Sequence, residues 1–114
     1  MAVSYVPRQY AVPPWSFGKA RIIDWRDSTS LSDRDQERIY AAQIQHEVAF
    51  QINAALQQHR WTQAEYAQAA RMTVQRTGDV LRGEIPMRLE DLGTAHRILG
   101  ICTTTNPNAQ RAGD

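Results

Sequence analysis

The side chains that most often carry out catalysis or bind metal ions are scattered in this sequence. No two of the three histidines (His46, His59 and His96) have the spacing that places two metal ligands on one face of a helix. The single cysteine, Cys102, has no evident base beside it in the sequence, and no glycine-rich phosphate-binding loop is present. We therefore expect no catalytic residues, no metal site and no cofactor.

Polar side chains of another kind are concentrated between residues 60 and 83. Four arginines lie there, interspersed with Thr73, Gln75 and Asp79. Guanidinium groups bind phosphates, while amides and carboxylates can hydrogen-bond the edges of DNA bases. The formal net charge of +1 is too small to indicate nucleic-acid binding by itself. Nearly all of the positive charge is arginine, which reflects either a GC-rich genome or a need for bidentate phosphate donors.

Two short helices are predicted to carry these side chains. Thr62 followed by Glu65 is a capping-box pattern that starts the first of them. Its inward residues are expected to be Tyr66, Ala67 and Ala70. Thr73 is a natural N-cap for the next helix, which we expect to end at Gly83. Its inward residues are expected to be Thr77, Val80 and Leu81, and these leave its first turn uncovered.

Longer helices are predicted on both sides of this pair. Ser32 with Asp35 is a capping-box pattern that starts a helix reaching to about Gln58. The inward stripe of this helix is predicted to be Ile44, Val48, Ile52 and Leu56, widened by Tyr40 and Ala55. A fourth helix is predicted over about residues 88–99, with Gly100 as its stop. Its expected inward residues are Leu89, Leu92, Ala95 and Leu99.

The first 31 residues differ in composition from the helical part. Prolines at positions 7, 13 and 14 favour an extended path, and only residues 19–25 suggest a short strand. The segment is rich in aromatic residues, namely Tyr5, Tyr10, Trp15, Phe17 and Trp25. We interpret residues 1–31 as an arm that docks on its own domain, on a second subunit or in a DNA groove. Residues 32–101 then form the helical domain, and residues 102–114 form a tail predicted to be disordered.

The compartment is predicted from what the chain lacks. With Cys102 alone, no intramolecular disulfide can form, which favours a reducing compartment. No apolar run approaches the roughly 18 residues of a membrane span, and the N-terminal residues do not resemble a signal peptide. We therefore expect a cytoplasmic protein that makes no contact with a membrane.

One stretch resembles a known family. Residues 61–83, WTQAEYAQAARMTVQRTGDVLRG, resemble without a gap the helix-turn-helix of the XRE, or lambda-repressor-like, family. The resemblance continues through EIPMRLEDLGTAHRILGI and covers about residues 50–101. It implies an all-α, lambda-repressor-like helix-turn-helix domain of about four helices, here with a long first helix and an extended N-terminal arm. In this family Ala67 must be small because the two helices of the motif cross closely over it.

Three positions depart from the family pattern. Arg71 occupies the turn position that is usually glycine, where a left-handed conformation would cost about 1 kcal/mol. Thr77 occupies a core position that is usually isoleucine or valine, so its hydroxyl needs a partner. Gly78 lies inside the second helix of the motif, at a cost of about 1 kcal/mol relative to alanine.

The resemblance also implies which residues bind DNA. They are Gln63, Arg71, Thr73, Val74, Gln75, Arg76, Asp79 and Arg82. The helix that starts at Thr73 would enter the major groove, where Gln75 would pair with adenine, Val74 would touch a thymine methyl group and Asp79 would accept from cytosine N4. Arg76 would lie beside them. Gln63 would meet a phosphate from a helix N-terminus. Candidates for further phosphate contacts are Arg71, Arg82, Arg60 and Arg88; the alternative for each position is a solvated surface.

Three functions are compatible with this pattern. The first is a sequence-specific DNA-binding transcriptional regulator of the repressor type, bacterial or phage, that uses residues 62–83 to read the major groove. The second is an antitoxin that binds a toxin and regulates its own operon. The third is a protein-interaction adaptor whose helix-turn-helix has lost DNA binding. The expected partners are double-stranded DNA, a second copy in a homodimer whose pairing depends on residues 1–31, and in the second case a toxin.

Overall fold

The computed structural model describes residues 5–102, and its longest element is the helix α1 (Asp33–His59). The hydroxyl oxygen of Ser32 accepts a hydrogen bond of 3.2 Å from the N–H group of Asp35, which caps the start of α1. At the other end Arg60 adopts the left-handed conformation, with φ 59°, and terminates the helix. The predicted long first helix is therefore confirmed.

Three shorter helices follow: α2 (Gln63–Ala70), α3 (Val74–Leu81) and α4 (Leu89–Leu99). The capping box predicted at the start of α2 is present. The Thr62 hydroxyl oxygen accepts from the Glu65 N–H group (3.1 Å), and the Glu65 carboxylate accepts from the Thr62 N–H group (2.8 Å). Helix α2 packs on both α3 and α4, and these two helices also pack on α1. All four predicted helices are thus present, and the chain is mostly helical.

The N-terminal segment contains the secondary-structure elements that were least predictable from the sequence. Two short 3₁₀ turns, Pro7–Tyr10 and Pro14–Ser16, alternate with two strands, β1 (Ala11–Val12) and β2 (Asp24–Trp25). The strands pair antiparallel, with Ala11 opposite Trp25 and Val12 opposite Asp24. A small sheet is therefore added to the expected all-α fold. The strand expected over residues 19–25 is limited to its last two residues, the part that finds a pairing partner.

This segment packs on α1 and on the end of α3, so of the three docking places expected for it the structure shows its own domain. The Tyr10 hydroxyl donates to the Asp35 carboxylate at 2.7 Å. Phe17, only 2% exposed, contacts Gly83 with its ring, and a Cβ atom at Gly83 would come within 2.7 Å of that ring. Gly83 has a φ of 74°, so both its backbone conformation and this contact require glycine. The segment therefore helps to hold the C-terminal end of α3 in place.

The core lies between α1, the N-terminal segment and the three short helices. It is built from Ala11, Phe17, Val48, Ala49, Ile52, Leu56, Tyr66, Leu81, Ala95 and Ile101. Most of the predicted inward stripe of α1 is therefore buried, but Tyr40 is 61% exposed because the neighbouring Ile39 and Ala42 take the face that meets Tyr10. Leu89, also predicted to point inward, is 83% exposed at the first position of α4. None of the helices within residues 5–102 combines the length and apolarity needed to cross a membrane.

Candidate nucleic-acid interface

The connection between α2 and α3 consists of residues 71–73. Arg71 adopts the left-handed conformation (φ 60°, ψ 39°) at the position where the family usually has glycine. Its strain is compensated because the N–H groups of Arg71 and Met72 donate to the carbonyls of Gln68 and Ala67, at 3.2 and 2.9 Å. Thr73 then caps α3, since its hydroxyl oxygen accepts from the Arg76 N–H group at 3.0 Å.

Helix α3 has a buried side and an exposed first turn, as predicted. Thr77, Val80 and Leu81 are each no more than 3% exposed. Val74 is 56% exposed, and Gln75 is also exposed. The buried hydroxyl of Thr77 donates to the carbonyl of Thr73 at 2.9 Å, so this departure from the family pattern leaves no unpaired polar group.

Arg76 does not project outward with its neighbours, so this part of the sequence-based prediction is wrong. Its guanidinium group turns back to α4 and binds both carboxylate oxygens of Asp91, at 3.0 and 2.8 Å. Asp91 also accepts from the N–H group of Arg88 at 2.8 Å and so caps the start of α4. Burial of the Asp91 carboxylate raises its pKa, but the hydrogen bonds from Arg76 and Arg88 outweigh burial and bring the pKa below its ordinary value. Arg76 thus joins α3 to α4.

The outer side of α3 carries a chain of polar contacts. The amide nitrogen of Gln75 donates to Oδ1 of Asp79 (3.0 Å), and the guanidinium group of Arg82 binds the same oxygen (2.8 Å). Arg82 also binds the carboxylate of Glu84 at 2.6 Å. A Cβ atom at Gly78 would come within 2.7 Å of the Arg82 guanidinium group, so the glycine leaves room for this contact. The sequence predicted that Asp79 and Arg82 lie on this side but did not reveal that they are paired.

A groove beside the start of α2 brings in a residue that sequence reasoning did not select. Gln63, the first residue of α2, lines this groove together with Lys19 and residues of α1. Lys19 is the only lysine of the chain and lies in the N-terminal segment. No sequence signal places Lys19 and Gln63 in one groove, because the N-terminal segment reaches this position only when it folds onto α1.

Buried His46 holds the turn that carries Lys19. The N–H group of Gly18 donates to His46 Nδ1 at 2.8 Å, so this ring nitrogen is an acceptor. His46 Nε2 lies 3.1 Å from the carbonyl of Arg21 and therefore carries the hydrogen that is donated to it. The ring of His46 thus bridges the two ends of the turn formed by residues 18–21.

Buried Gln45, the residue before His46 on α1, has a comparable role toward other segments. Its amide nitrogen donates to the carbonyls of Val80 (2.9 Å) and Ile85 (3.0 Å), and its amide oxygen accepts from the N–H group of Met87 (2.8 Å). These contacts attach the end of α3 and the segment before α4 to the central helix. The sequence signal that could have revealed this role is a glutamine within the apolar stripe of α1, because a buried amide requires hydrogen-bond partners.

The exposed Cys102 thiol lies near a histidine, although the sequence gave no indication of one. Cys102 Sγ is 3.6 Å from His96 Nδ1. The same nitrogen lies 3.1 Å from the carbonyl of Ile101, which can only accept, so Nδ1 carries its hydrogen. In this arrangement His96 cannot remove a proton from the thiol through Nδ1. Within residues 5–102, no three metal-binding side chains form a cluster.

Comparison with models of protein families, with curated proteins and with solved structures finds no match for this chain. The resemblance to the XRE family and its fold therefore stays a prediction. The candidate interface consists of the exposed first turn of α3, the Arg71 turn beside it and the groove lined by Lys19 and Gln63.

Proposed function

We propose that this protein is a sequence-specific DNA-binding transcriptional regulator of the repressor type, which reads the major groove with the first turn of α3. The observation that carries the proposal is the exposure of Val74 and Gln75 at the start of a helix whose other side is buried. A major groove is wide enough to admit a helix, and these two side chains offer a methyl contact and an amide donor–acceptor pair. Their role would be to distinguish bases.

Positively charged side chains around this turn are suited to the DNA backbone. Arg71 is exposed and makes no side-chain hydrogen bond or salt bridge to any of residues 5–102. It lies in the turn directly before α3, where a phosphate of an engaged strand would be in reach. Lys19 and Gln63 offer a second phosphate site in their shared groove. Arg76 is excluded from this set, since Asp91 occupies its guanidinium group.

A homodimer is part of the proposal, because a single short helix makes few base contacts and two half-sites increase affinity. Much of the aromatic surface expected to form the interface is used inside the subunit, as Phe17 shows. One apolar surface that could receive a second subunit is a groove between α1 and α4 lined by Ala41, Ile44, Pro86, Met87, Leu89 and Leu92, with Tyr5 and two polar residues. Leu89→Asp, rather than deletion of residues 1–31, is the appropriate test. Sedimentation should show a dimer that this variant dissociates; a monomeric wild-type protein with and without DNA would contradict dimerisation.

The same apolar groove favours a second candidate function, that of an antitoxin. Exposed Leu89 at its edge would suit an apolar segment of a toxin as well as a second copy of this chain. An adjacent reading frame whose product is toxic alone and is neutralised by this protein would support that function. If instead the protein neutralises no neighbouring gene product, the regulator proposal is favoured.

The proposed function is tested by selecting bound sequences from random duplex DNA at stated salt concentrations. Gln75→Ala should then cost about 1–3 kcal/mol at one base position and relax specificity there. Arg71→Ala should weaken binding to all sequences alike and reduce the salt dependence by about one phosphate contact. If Gln75→Ala weakens every duplex equally, or none, α3 does not read the bases.

A further inference from the structure

Gln75 and Asp79 lie one turn apart on the exposed side of α3 and are joined side chain to side chain. The amide nitrogen of Gln75 donates to Oδ1 of Asp79 at 3.0 Å. The same oxygen accepts a second hydrogen bond, of 2.8 Å, from Nη2 of Arg82. The Asp79 side chain is only 20% exposed, so one carboxylate oxygen organises two neighbouring side chains on the proposed reading surface.

The contact determines which way round the Gln75 amide lies. The two ends of a primary amide have nearly the same shape but opposite hydrogen-bonding character. A carboxylate only accepts, so Asp79 favours the orientation in which the amide nitrogen faces it and disfavours the flipped one, where two oxygens would meet. Because the amide is planar, fixing the nitrogen also fixes the oxygen. The second hydrogen on that nitrogen and the oxygen remain available, and together they match N7 and N6 of adenine.

Arg82 makes this arrangement compatible with a DNA surface. A bare carboxylate close to phosphates would be repelled, whereas one paired with a guanidinium group is nearly neutral. Gly78 permits the pairing, since a Cβ atom there would come within 2.7 Å of Nη1 of Arg82. The glycine that weakens α3 as a helix therefore leaves space for the residue that neutralises Asp79.

We propose that Asp79 is a positioning residue for specificity: it orients the Gln75 amide, so that Gln75 and Asp79 act together on one base pair. This inference rests on the proposed DNA binding. It replaces the sequence-based expectation that Asp79 itself accepts a hydrogen bond from cytosine N4.

The test compares Asp79→Ala with Glu84→Ala in the full-length chain. Each variant removes one of the two carboxylates that bind Arg82 and raises the net charge by the same amount, so general electrostatic effects are matched. Affinities are measured on the duplex preferred by the wild-type protein and on all of its single base-pair substitutions, and urea unfolding verifies that each variant is folded. Asp79→Ala should lose discrimination at the same base pair as Gln75→Ala, by about 5- to 150-fold. The double variant should lose no more there than Gln75→Ala alone, and Glu84→Ala should keep the discrimination.

Every other outcome of this comparison overturns the inference. If Asp79→Ala changes discrimination at a different base pair, Asp79 contacts a base directly; if it behaves like Glu84→Ala, its role is only electrostatic. Either result overturns the inference and leaves the proposed function intact. If the wild-type protein shows no sequence preference, the proposed function and this inference both fail. NMR of the DNA-free protein gives a separate readout: the side-chain amide hydrogens of Gln75 should shift in Asp79→Ala but not in Glu84→Ala, and unchanged shifts would also overturn the inference.

Discussion

Replacing Gln45 by leucine should destabilise the protein, because the Gln45 amide makes three hydrogen bonds to backbone groups outside α1. Leucine has a similar volume and a good helix propensity, so the substitution mainly removes hydrogen bonds. The carbonyl of Val80 keeps a second partner, the N–H group of Gly83 at 3.2 Å. The carbonyl of Ile85 and the N–H group of Met87 lose the hydrogen-bond partner that Gln45 gives them.

The magnitude follows from these two groups. An unsatisfied buried backbone group costs about 1–3 kcal/mol, and both residues here are partly buried, so water can replace part of the loss. We expect the free energy of unfolding to fall by about 2–4 kcal/mol. With a urea slope of about 2 kcal/mol/M this corresponds to a midpoint lower by about 1–2 M with an unchanged slope. The proposed DNA binding should weaken as well, because Gln45 holds the end of α3 against α1.

The assay is urea unfolding followed by circular dichroism, with Gln43→Leu as the matched control. Gln43 lies on the same helix, is exposed and undergoes the same chemical change, so its effect should stay within about 0.5 kcal/mol. If Gln45→Leu is as stable as Gln43→Leu, the hydrogen bonds of Gln45 contribute nothing to stability and the reasoning is refuted.

Three further predictions follow from the structure. Asp91→Asn should destabilise the protein by about 1 kcal/mol at neutral pH. Because the pKa of Asp91 is lowered in the folded state, its contribution to stability is present above the ordinary pKa of 3.8 and is lost as the pH falls through the folded-state pKa. In urea unfolding, the difference in stability between Asp91→Asn and wild type should therefore shrink in acid and not in base. Ala67→Leu should cost about 1–3 kcal/mol by overpacking, because Ala67 is 1% exposed on α2, and an unchanged melting temperature would show that no neighbour lies close to it. Lys19→Ala should reduce the salt dependence of DNA binding by about one phosphate contact without changing sequence preference; an unchanged salt slope would remove the groove it shares with Gln63 from the interface.

The outward side of the candidate site was partly predictable from neighbouring residues. Thr73 as a cap and the inward positions of Thr77 and Val80 leave Val74 and Gln75 exposed, and all of these relations lie within two helical turns. The direction of Arg76 was not predictable in this way. Its partner Asp91 lies 15 residues further along the chain, on another helix.

Local physical chemistry also explains why the four helices could be derived from the sequence alone. Caps act over three residues, as at Thr62 and Glu65, and a buried stripe repeats every three or four residues, as at Val48 and Ile52. The break in the helical period likewise placed the turn near Arg71 and Met72, whereas the left-handed conformation of Arg71 was implied only by the resemblance to the XRE family. Such signals need no knowledge of the rest of the fold.

Tertiary structure alone decided how the N-terminal segment and the loops around α3 are held. Gln45 meets Met87 across 42 residues, and His46 meets Gly18 across 28. Neither partner has a pattern that marks it in advance, since a backbone N–H group is the same at every position. The sequence therefore determined which helices form and which side of α3 is left uncovered. Packing determined what surrounds that side, because contacts between distant residues depend on the position of every element between them.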